Sequence, residues 1–173
     1  MIGIVSGTNR ADNLSCQIAN LYAQLLENEG AEHVLIDLRD LPRDIAFAET
    51  YGERSADYTR QFVQPMEDCE KFVFVIPEYN GGFPGILKLF IDSIPPRAFY
   101  YKKAGLIGLS NGRGGAARAM DQFSNVLNYL RVDVIAQKPK LSAIHQALGK
   151  EGDLMDEEYA TRLKEHVKKM LAF

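Results

Sequence analysis

The sequence has few cysteines, few histidines and no long apolar run, and each scarcity excludes a class of protein. Cys16 and Cys69 lie far apart and form no CxxC pair, so neither a disulfide scaffold nor a thioredoxin-like centre is predicted. His33, His145 and His166 have no HxxxH or HExxH spacing, which argues against a protein-bound metal. We expect the cysteines to be small buried residues and the histidines to be partly solvated.

Charge and hydropathy exclude further partners. The formal net charge is -3, with acidic and basic residues interspersed, so the chain has no basic field to displace counterions from nucleic acid. No apolar stretch approaches the roughly 20 residues of a membrane span, and the chain enters a strand-like run without a charged leader. A cytoplasmic protein that binds neither nucleic acid nor membrane is expected. Walker A and Gly-x-Ser-x-Gly motifs are also missing, which disfavours an NTPase and a serine hydrolase.

What the chain does contain is an alternation of short apolar runs with amphipathic segments. Its 173 residues, 46% of them hydrophobic, are enough for one substantial core, so we predict a single domain over residues 1–173. Strand-like runs cover residues 1–6, 33–37, 72–76, 104–109 and 132–136. The fully apolar third run is typical of a strand buried on both faces of a parallel sheet. The alternation predicts an open, doubly wound α/β fold.

Helical spacing fills most of the intervals between these runs. Apolar residues recur every three or four positions in segments 18–26 and 116–130, and acids after residue 155 begin a last helix. Segment 56–68 can form another helix, which Pro65 must shorten or kink. Residues 38–54 show no clear period, so they are expected to form a binding loop or lid, or to hold a small element.

Three polar loops containing glycine follow the first, third and fourth strand-like runs, at residues 7–15, 77–85 and 110–115. In a sheet of order 2-1-3-4-5 the first and third strands are neighbours. Between them the direction in which successive strands are added to the sheet reverses. Loops at the carboxyl ends of such strands flank the ligand crevice. We therefore predict that the ligand binds where these three loops meet.

The first loop carries groups that suit a phosphate monoester. Thr8 and Ser15 supply hydroxyls, Arg10 a guanidinium and Asn13 an amide, and the following helix adds free N–H groups at its positive end. In the alternative interpretation Asn13 or Ser15 merely caps the helix and Arg10 is a solvated charge. The loop by itself favours neither interpretation.

The other two loops combine glycines with polar or aromatic groups. After Pro77, Tyr79 offers an aromatic face and Asn80 a two-way hydrogen-bonding group, and the glycines let backbone amides approach a flat or charged ligand. The third loop contains the start of a G-x-G-x-x-A match that runs from Gly112 to Ala117, with Asp133 downstream. This pattern is the sequence fingerprint of dinucleotide binding. That fingerprint belongs in a first βαβ unit, so glycines that admit the edge of a flat ring are the favoured explanation.

Together these segments resemble the NADPH-dependent FMN reductase family of flavodoxin-like proteins, which includes quinone, azo-dye and chromate reductases. The specific part of the match is Pro-Glu-Tyr-Asn-Gly-x-x-Pro-Gly-x-Leu-Lys at residues 77–88, and a Ser-x-Gly-x-x-Gly-Gly pattern matches residues 110–115 less stringently. The likeness covers nearly the whole chain, including an acidic segment at residues 151–158. It implies a flavodoxin-like three-layer fold: a five-stranded parallel sheet of order 2-1-3-4-5 with helices on both faces.

The resemblance implies an FMN site, with NADPH or NADH as co-substrate. It places one group of residues around the FMN phosphate: Thr8, Arg10, Asn13 and Ser15. A second group follows the ribityl chain and the ring edge: Pro77, Glu78, Tyr79, Asn80 and Gly81. A third group faces the other part of the ring: Ser110, Asn111, Gly112 and Gly115. Thr8 and Asn13 depart from the family's commonest residues, although both can still hydrogen-bond a phosphate oxygen.

The activity implied by the resemblance is electron transfer from reduced nicotinamide, through bound FMN, to a quinone, azo dye, free flavin or similar small acceptor. The cofactor carries the chemistry, so no catalytic acid, base or nucleophile is named. Two alternatives remain: a flavodoxin-like electron carrier without its own NAD(P)H oxidase activity, and a nucleotide-binding or regulatory domain without flavin. Arg113 and Arg118 either meet the 2'-phosphate of NADPH or are solvated.

The resemblance also implies a homodimer, or a tetramer, formed through the helix after Gly85 and the helix at residues 116–130. The first of these helices has more apolar residues than one face against the sheet would need. The alternative is a helix that covers the sheet and is simply apolar all round.

Overall fold

The apolar runs form one parallel sheet in the computed structural model, which describes residues 1–149 and 153–173. The strands are β1 (Ile2–Ser6), β2 (His33–Asp37), β3 (Lys71–Pro77), β4 (Lys103–Leu109), β5 (Asp133–Val134) and β6 (Lys140–Leu141). Their order is β2-β1-β3-β4-β5, and every pairing is parallel. This confirms the predicted flavodoxin-like sheet.

Helices cover both faces of the sheet. They are α1 (Leu14–Asn28), α2 (Ile45–Ala48), α3 (Ala56–Tyr58), α4 (Gln64–Asp68), α5 (Gly85–Ser93), α6 (Ala117–Tyr129), α7 (Ile144–Ala147) and α8 (Glu157–Ala172). One apolar cluster lies between the sheet and α2 to α6, and a second lies between the sheet and α1, α7 and α8. The first residues of the acidic segment at 151–158 lie outside the described part of the chain. Asp156 caps α8 as expected, since its carboxylate accepts from the Tyr159 N–H at 3.0 Å.

The central strand β3 supplies both clusters. Phe72, Phe74 and Ile76 point to one side, and Val73 and Val75 point to the other, all without solvent exposure. Burying a side chain of this size contributes about 1.5–3 kcal/mol. The prediction of a strand covered on both faces is confirmed.

The outer strand differs from the predicted run at residues 132–136. β5 pairs only with the start of β4, and β6 pairs with its end, at Gly108 and Leu109. The segment between them contains Pro139, which has no N–H to give to a ladder, although its carbonyl accepts from the Gly108 N–H at 2.9 Å. The fifth position of the sheet is therefore occupied by two short strands, of which β6 is a minor one.

The helix at residues 56–68 continues through Pro65. A π-helical turn at Thr59–Val63 joins α3 to α4, and the Gln64 N–H donates to the carbonyl of Thr59, five residues back. Proline cannot donate and its ring crowds the carbonyl four residues before it. The wider turn just ahead of Pro65 accommodates that ring, so of the two predicted outcomes, a shortened or a kinked helix, the shortening does not occur.

The connection at residues 38–54 holds small elements, one of the predicted outcomes. It contains a 3₁₀ turn at Leu38–Asp40 and the short helix α2. Its end is fixed by Glu49, a buried carboxylate that accepts from the Ser55 N–H at 2.9 Å and from the Ser55 hydroxyl at 2.8 Å. None of the helices in residues 1–149 and 153–173 combines the length and apolarity that a bilayer crossing requires.

His166 contradicts the expectation of partly solvated histidines. Its side chain is fully buried between the sheet and α1, with Nδ1 2.8 Å from the Tyr22 hydroxyl. Its Nε2 has no hydrogen-bond partner among the described residues. Burial, together with the charge of Lys169, lowers the pKa of His166 to about 4. Cys16 and Cys69 are both buried and free, as expected.

Acid is expected to destabilise the fold through His166. Because its pKa is about 6.5 in the unfolded chain and about 4 in the fold, the unfolded chain binds the proton more readily. Stability should therefore fall as pH drops from 6.5 towards 4, by roughly 3 kcal/mol in total. Urea unfolding at pH 7, 5.5 and 4.5 measures the loss. His166→Gln should lose less, and parallel pH curves for the two proteins would contradict the assignment.

Candidate functional site

A cavity of about 590 Å³ opens at the carboxyl ends of β1, β3 and β4, at the crevice that the sequence predicts. Loops after all three strands contribute to it. The predicted site residues that line it are Arg10, Asn13, Ser15, Pro77, Glu78, Tyr79, Ser110, Asn111 and Gly112. The structure thus brings residues from three separate segments to one concave surface.

The other predicted residues, Thr8, Asn80, Gly81 and Gly115, are outside the lining of this cavity. Thr8 is fully buried. Gly115 has a φ of +55° and is packed against Lys140, where an added Cβ would come within 2.5 Å. Thr8 and Gly115 therefore contribute to the packing of the loops and not to the surface of the cavity.

At the first loop, Asn13 is the N-cap of α1. Its Oδ1 accepts from the Cys16 N–H at 2.7 Å, and its Nδ2 donates to the carbonyl of Arg10 at 2.5 Å. The capping interpretation is therefore correct for Asn13. The N–H groups of Leu14 and Ser15 belong to the first turn, where no intrahelical acceptor exists. They stay available to a ligand, beside the exposed Arg10.

Tyr79 joins the first loop to the second. Its hydroxyl lies 2.9 Å from Oγ1 of Thr8, and the guanidinium carbon of Arg10 lies 5.9 Å from the centre of its ring. A hydroxyl pair and a cation–π contact are thus formed between chain segments about 70 positions apart. The positions of the two loops are coupled by this one side chain.

The tip of the second loop is a tight turn at Asn80-Gly81. The two residues have φ values of 51° and 82°, and Tyr79 and Gly82 exchange backbone hydrogen bonds of 2.8 and 3.1 Å. Positive φ at both central positions defines a type I′ turn, for which Asn-Gly is the preferred pair. Phe83 then packs against Phe123 of α6, with ring centroids 5.2 Å apart. The turn is therefore anchored to the core.

Two hydrogen bonds of the Ser110 side chain hold the third loop together. The Ser110 hydroxyl accepts from the Gly115 N–H and donates to the carbonyl of Gly112, both at 2.9 Å. An added Cβ at Gly112 or Gly114 would meet no atom within 4 Å, and both glycines line the cavity. They leave an open surface against which a flat group can lie.

The placement of Asp133 contradicts the dinucleotide interpretation of this loop. Asp133 pairs with Lys103, the first residue of β4, whereas the glycine loop follows the last residue of that strand. The carboxylate of Asp133 is therefore at the amino ends of the strands, whereas the glycine loop is at their carboxyl ends. This carboxylate cannot serve the same ligand as Gly112.

Sequence reasoning missed several lining residues. They are Asp12, Leu14, Leu109, Gly114, Ile144 and His145. Ile144 and His145 come from α7, a four-residue helix without a recognisable sequence period. Arg118 also lines the cavity, whereas Arg113 does not. Over residues 1–149 and 153–173, no group of three or more His, Cys, Asp and Glu side chains could hold a metal ion.

Comparison with known proteins identifies the family of the chain. A family model described as NADPH-dependent FMN reductase matches residues 1–146. The chain is 27% identical to a 2-hydroxy-1,4-benzoquinone reductase of Burkholderia sp., over 99% of this chain and 94% of that protein. It is 31% identical to an NAD(P)H:quinone oxidoreductase of Solanum tuberosum, over 78% of this chain and 71% of the other.

Solved structures show the same fold. FerB, a flavoenzyme NAD(P)H:(acceptor) oxidoreductase of Paracoccus denitrificans, superposes with a TM-score of 0.79 at 24% identity. The alignment covers 99% of this chain and 94% of that one. At this identity the likeness establishes the three-layer architecture described above.

Proposed function

Since the chain belongs to the NADPH-dependent FMN reductase family, we propose that its 590 Å³ cavity holds FMN and that its acceptor is a quinone or a similar small oxidant. As a member of this family the protein is an oxidoreductase that uses FMN with NADPH or NADH. The observation that carries the proposed site is the composition of the cavity. It combines anion donors in one loop with open glycines in another.

The donor set of the first loop fits a phosphate. Arg10 and the free N–H groups of Leu14 and Ser15 lie at the positive end of α1, where a helix dipole and unpaired donors favour an anion. Asn13 contributes indirectly, because its hydrogen bonds with the Arg10 carbonyl and the Cys16 N–H fix the turn that presents those groups. The role of these residues is to bind and orient the cofactor.

The third loop fits a flat ring. Gly112 and Gly114 expose backbone without a side chain above it, and Ser110 holds the loop closed from within. Tyr79 and Glu78 border the same space from the second loop. FMN bound there would supply the redox chemistry between reduced nicotinamide and the acceptor. The role given to the residues of the chain is to orient the ring, and none of them is assigned as an acid or base at the reacting atom.

The colour of the purified protein tests this proposal. A band near ~450 nm is expected from bound FMN, and NADPH or NADH should bleach it within seconds in the absence of oxygen. A coloured protein that neither nicotinamide bleaches would support the electron-carrier alternative. A colourless protein that does not bind added FMN at micromolar concentration would contradict both flavin hypotheses.

The names of two relatives support a quinone as the acceptor. Two of them are named quinone reductases, so we expect quinones to be reduced faster than azo dyes or free flavin. Steady-state rates with each acceptor class, measured with both nicotinamides, test this order. Faster reduction of free flavin than of any quinone would contradict it.

The proposed homodimer is supported by an apolar groove of about 490 Å³ beside α5 and α6. Tyr51 and Tyr129 line it and are 82% and 88% exposed. The surplus of apolar residues on α5 is a weaker argument, because Leu87, Phe90 and Ile91 are buried within the chain itself. The exposed tyrosines beside this groove are the surface that a second copy would cover.

Tyr129→Asp is expected to convert the dimer to a monomer, because a buried unpaired carboxylate destabilises an interface strongly. Sedimentation or light scattering should give twice the monomer mass for the wild type and the monomer mass for the variant. Tyr101→Asp is the matched control, since Tyr101 is 75% exposed and lies outside the groove. A monomeric wild type would contradict the proposal.

A further inference from the structure

A clamp of two charged residues lies beside the first loop, at the end of β2. Arg39 donates from Nε to Oδ2 of Asp37 at 2.8 Å and from its backbone N–H to Oδ1 at 3.0 Å. The same guanidinium donates from Nη2 to Sγ of Cys16 at 3.0 Å and from Nη1 to the carbonyl of Ala11 at 3.4 Å. One side chain therefore connects β2 to both the first loop and the first turn of α1.

Asp37 is held in its charged form within this clamp. Burial pushes its pKa upward, but hydrogen bonds from the Arg39 side chain and backbone outweigh that effect, so its pKa lies below the ordinary value. The thiol of Cys16 also donates to Oδ2 of Asp37, at 3.3 Å. The carboxylate side chain is only 12% exposed. It is thus the fixed point to which Arg39 is attached.

The exposed tip is the part of the first loop that Arg39 contacts. Arg10, Ala11 and Asp12 are all exposed. The base of the loop is tied to β3 by the Gly7 N–H, which donates to the Val75 carbonyl at 2.9 Å, and to Tyr79 by the hydroxyl of Thr8. Among the described residues, the other hydrogen bonds of the tip backbone come from within the loop: the Asn13 amide donates to the Arg10 carbonyl, and the Arg10 N–H donates to Oγ1 of Thr8 at 3.5 Å. The bond from Arg39 to the Ala11 carbonyl joins the loop tip to the 3₁₀ turn that follows β2. The shape of the tip therefore depends on β2.

We propose that Asp37 and Arg39 are positioning residues, which hold the first loop in the shape that receives the FMN phosphate. This inference rests on the proposed function. Neither residue lines the cofactor cavity, so both act through the loop and not by touching the ligand. Arg39 sets the position of Ala11 and of the first turn of α1, and Asp37 sets the position of Arg39.

Substitution of Asp37 distinguishes the positioning of the first loop from a long-range electrostatic effect on the FMN phosphate. A carboxylate near a phosphate repels it, so removing the charge of Asp37 should tighten FMN binding if only long-range electrostatics matter. Removing it should weaken binding if the carboxylate holds Arg39 in place. The sign of the change in FMN affinity upon Asp37→Asn therefore decides between the two.

The experiment measures dissociation constants of FMN and of riboflavin for the flavin-free protein, by flavin fluorescence. Asp37→Asn and Arg39→Gln should lower FMN affinity about tenfold or more, the size expected when a charge-assisted hydrogen bond is lost. Riboflavin affinity should change less than about twofold, because riboflavin has no phosphate to position. Arg39→Lys keeps the charge but lacks the planar fork, so it should also weaken FMN binding selectively.

Arg43→Gln is the matched control, since Arg43 is an exposed arginine on the same connection. It should leave the ratio of FMN to riboflavin affinity unchanged. Unaltered or tighter FMN binding by Asp37→Asn would overturn the inference, as would an equal loss of riboflavin binding in all three clamp variants. If Asp37→Asn fails to fold by circular dichroism, Arg39→Lys carries the test. A wild-type protein that binds neither flavin would instead contradict the proposed function.

Discussion

Gly112→Val is expected to weaken FMN binding by about 10- to 100-fold, the effect of forcing 1–3 kcal/mol of steric strain into a fitted site. Gly112 lines the cavity, and a Cβ added there meets no protein atom within 4 Å. Its φ is outside the left-handed region, so valine is accepted without backbone strain. The side chain would therefore enter only the space proposed for the flavin ring. The free energy of unfolding should change by no more than about 0.5 kcal/mol.

A series of substitutions at this position gives the measurement its control. FMN affinity should fall in the order Gly112→Ala, Gly112→Val, Gly112→Leu, as the side chain grows. Urea unfolding of each variant separates a blocked site from a damaged fold. Wild-type affinity in Gly112→Leu would show that the ring does not lie against this loop.

Phe123→Ala is expected to reduce the free energy of unfolding by about 3–5 kcal/mol, as for other fully buried phenylalanines. Phe123 has no solvent exposure, and its ring lies 4.9 Å from that of Phe74 in β3 and 5.2 Å from that of Phe83. Removing it leaves a cavity between the sheet and α6. The same change deprives the turn at Asn80-Gly81 of its anchor, so FMN affinity should also fall.

Phe47→Ala provides the matched control for this prediction. Phe47 is 91% exposed, so the same substitution should change the free energy of unfolding by less than about 0.5 kcal/mol. Urea unfolding at low protein concentration measures both variants as monomers. Equal losses would mean that the Phe74, Phe123 and Phe83 stack does not stabilise the fold.

The sheet order and the three loops were predictable because their signals are local. The apolar run of β3 and the glycines that follow β3 and β4 can be identified within a few residues of sequence. The Asn80-Gly81 turn also has a local signal, since this dipeptide favours positive φ at both positions. Short-range preferences therefore sufficed to locate the crevice.

The detailed roles within the crevice depend on contacts that are distant in sequence. Thr8 carries an ordinary phosphate-binding hydroxyl, yet it is buried against Tyr79, 71 positions away. His145 reaches the cavity because α7 follows the minor strand β6. His166 is buried because Gly105 has no side chain, since a Cβ there would lie 2.4 Å from its ring. Such packing is decided by tertiary structure, which no spacing rule describes.

The hydroxyl pair between Thr8 and Tyr79 has a further consequence for mutational analysis. Because it couples the two ends of the proposed cofactor site, substitutions at those ends should not have independent effects. A double-mutant cycle with Arg10→Ala and Tyr79→Phe is expected to give a non-zero interaction energy, of about 0.5–3 kcal/mol in FMN binding. The crevice would then respond to the cofactor as one cooperative unit, with its phosphate and ring subsites thermodynamically linked.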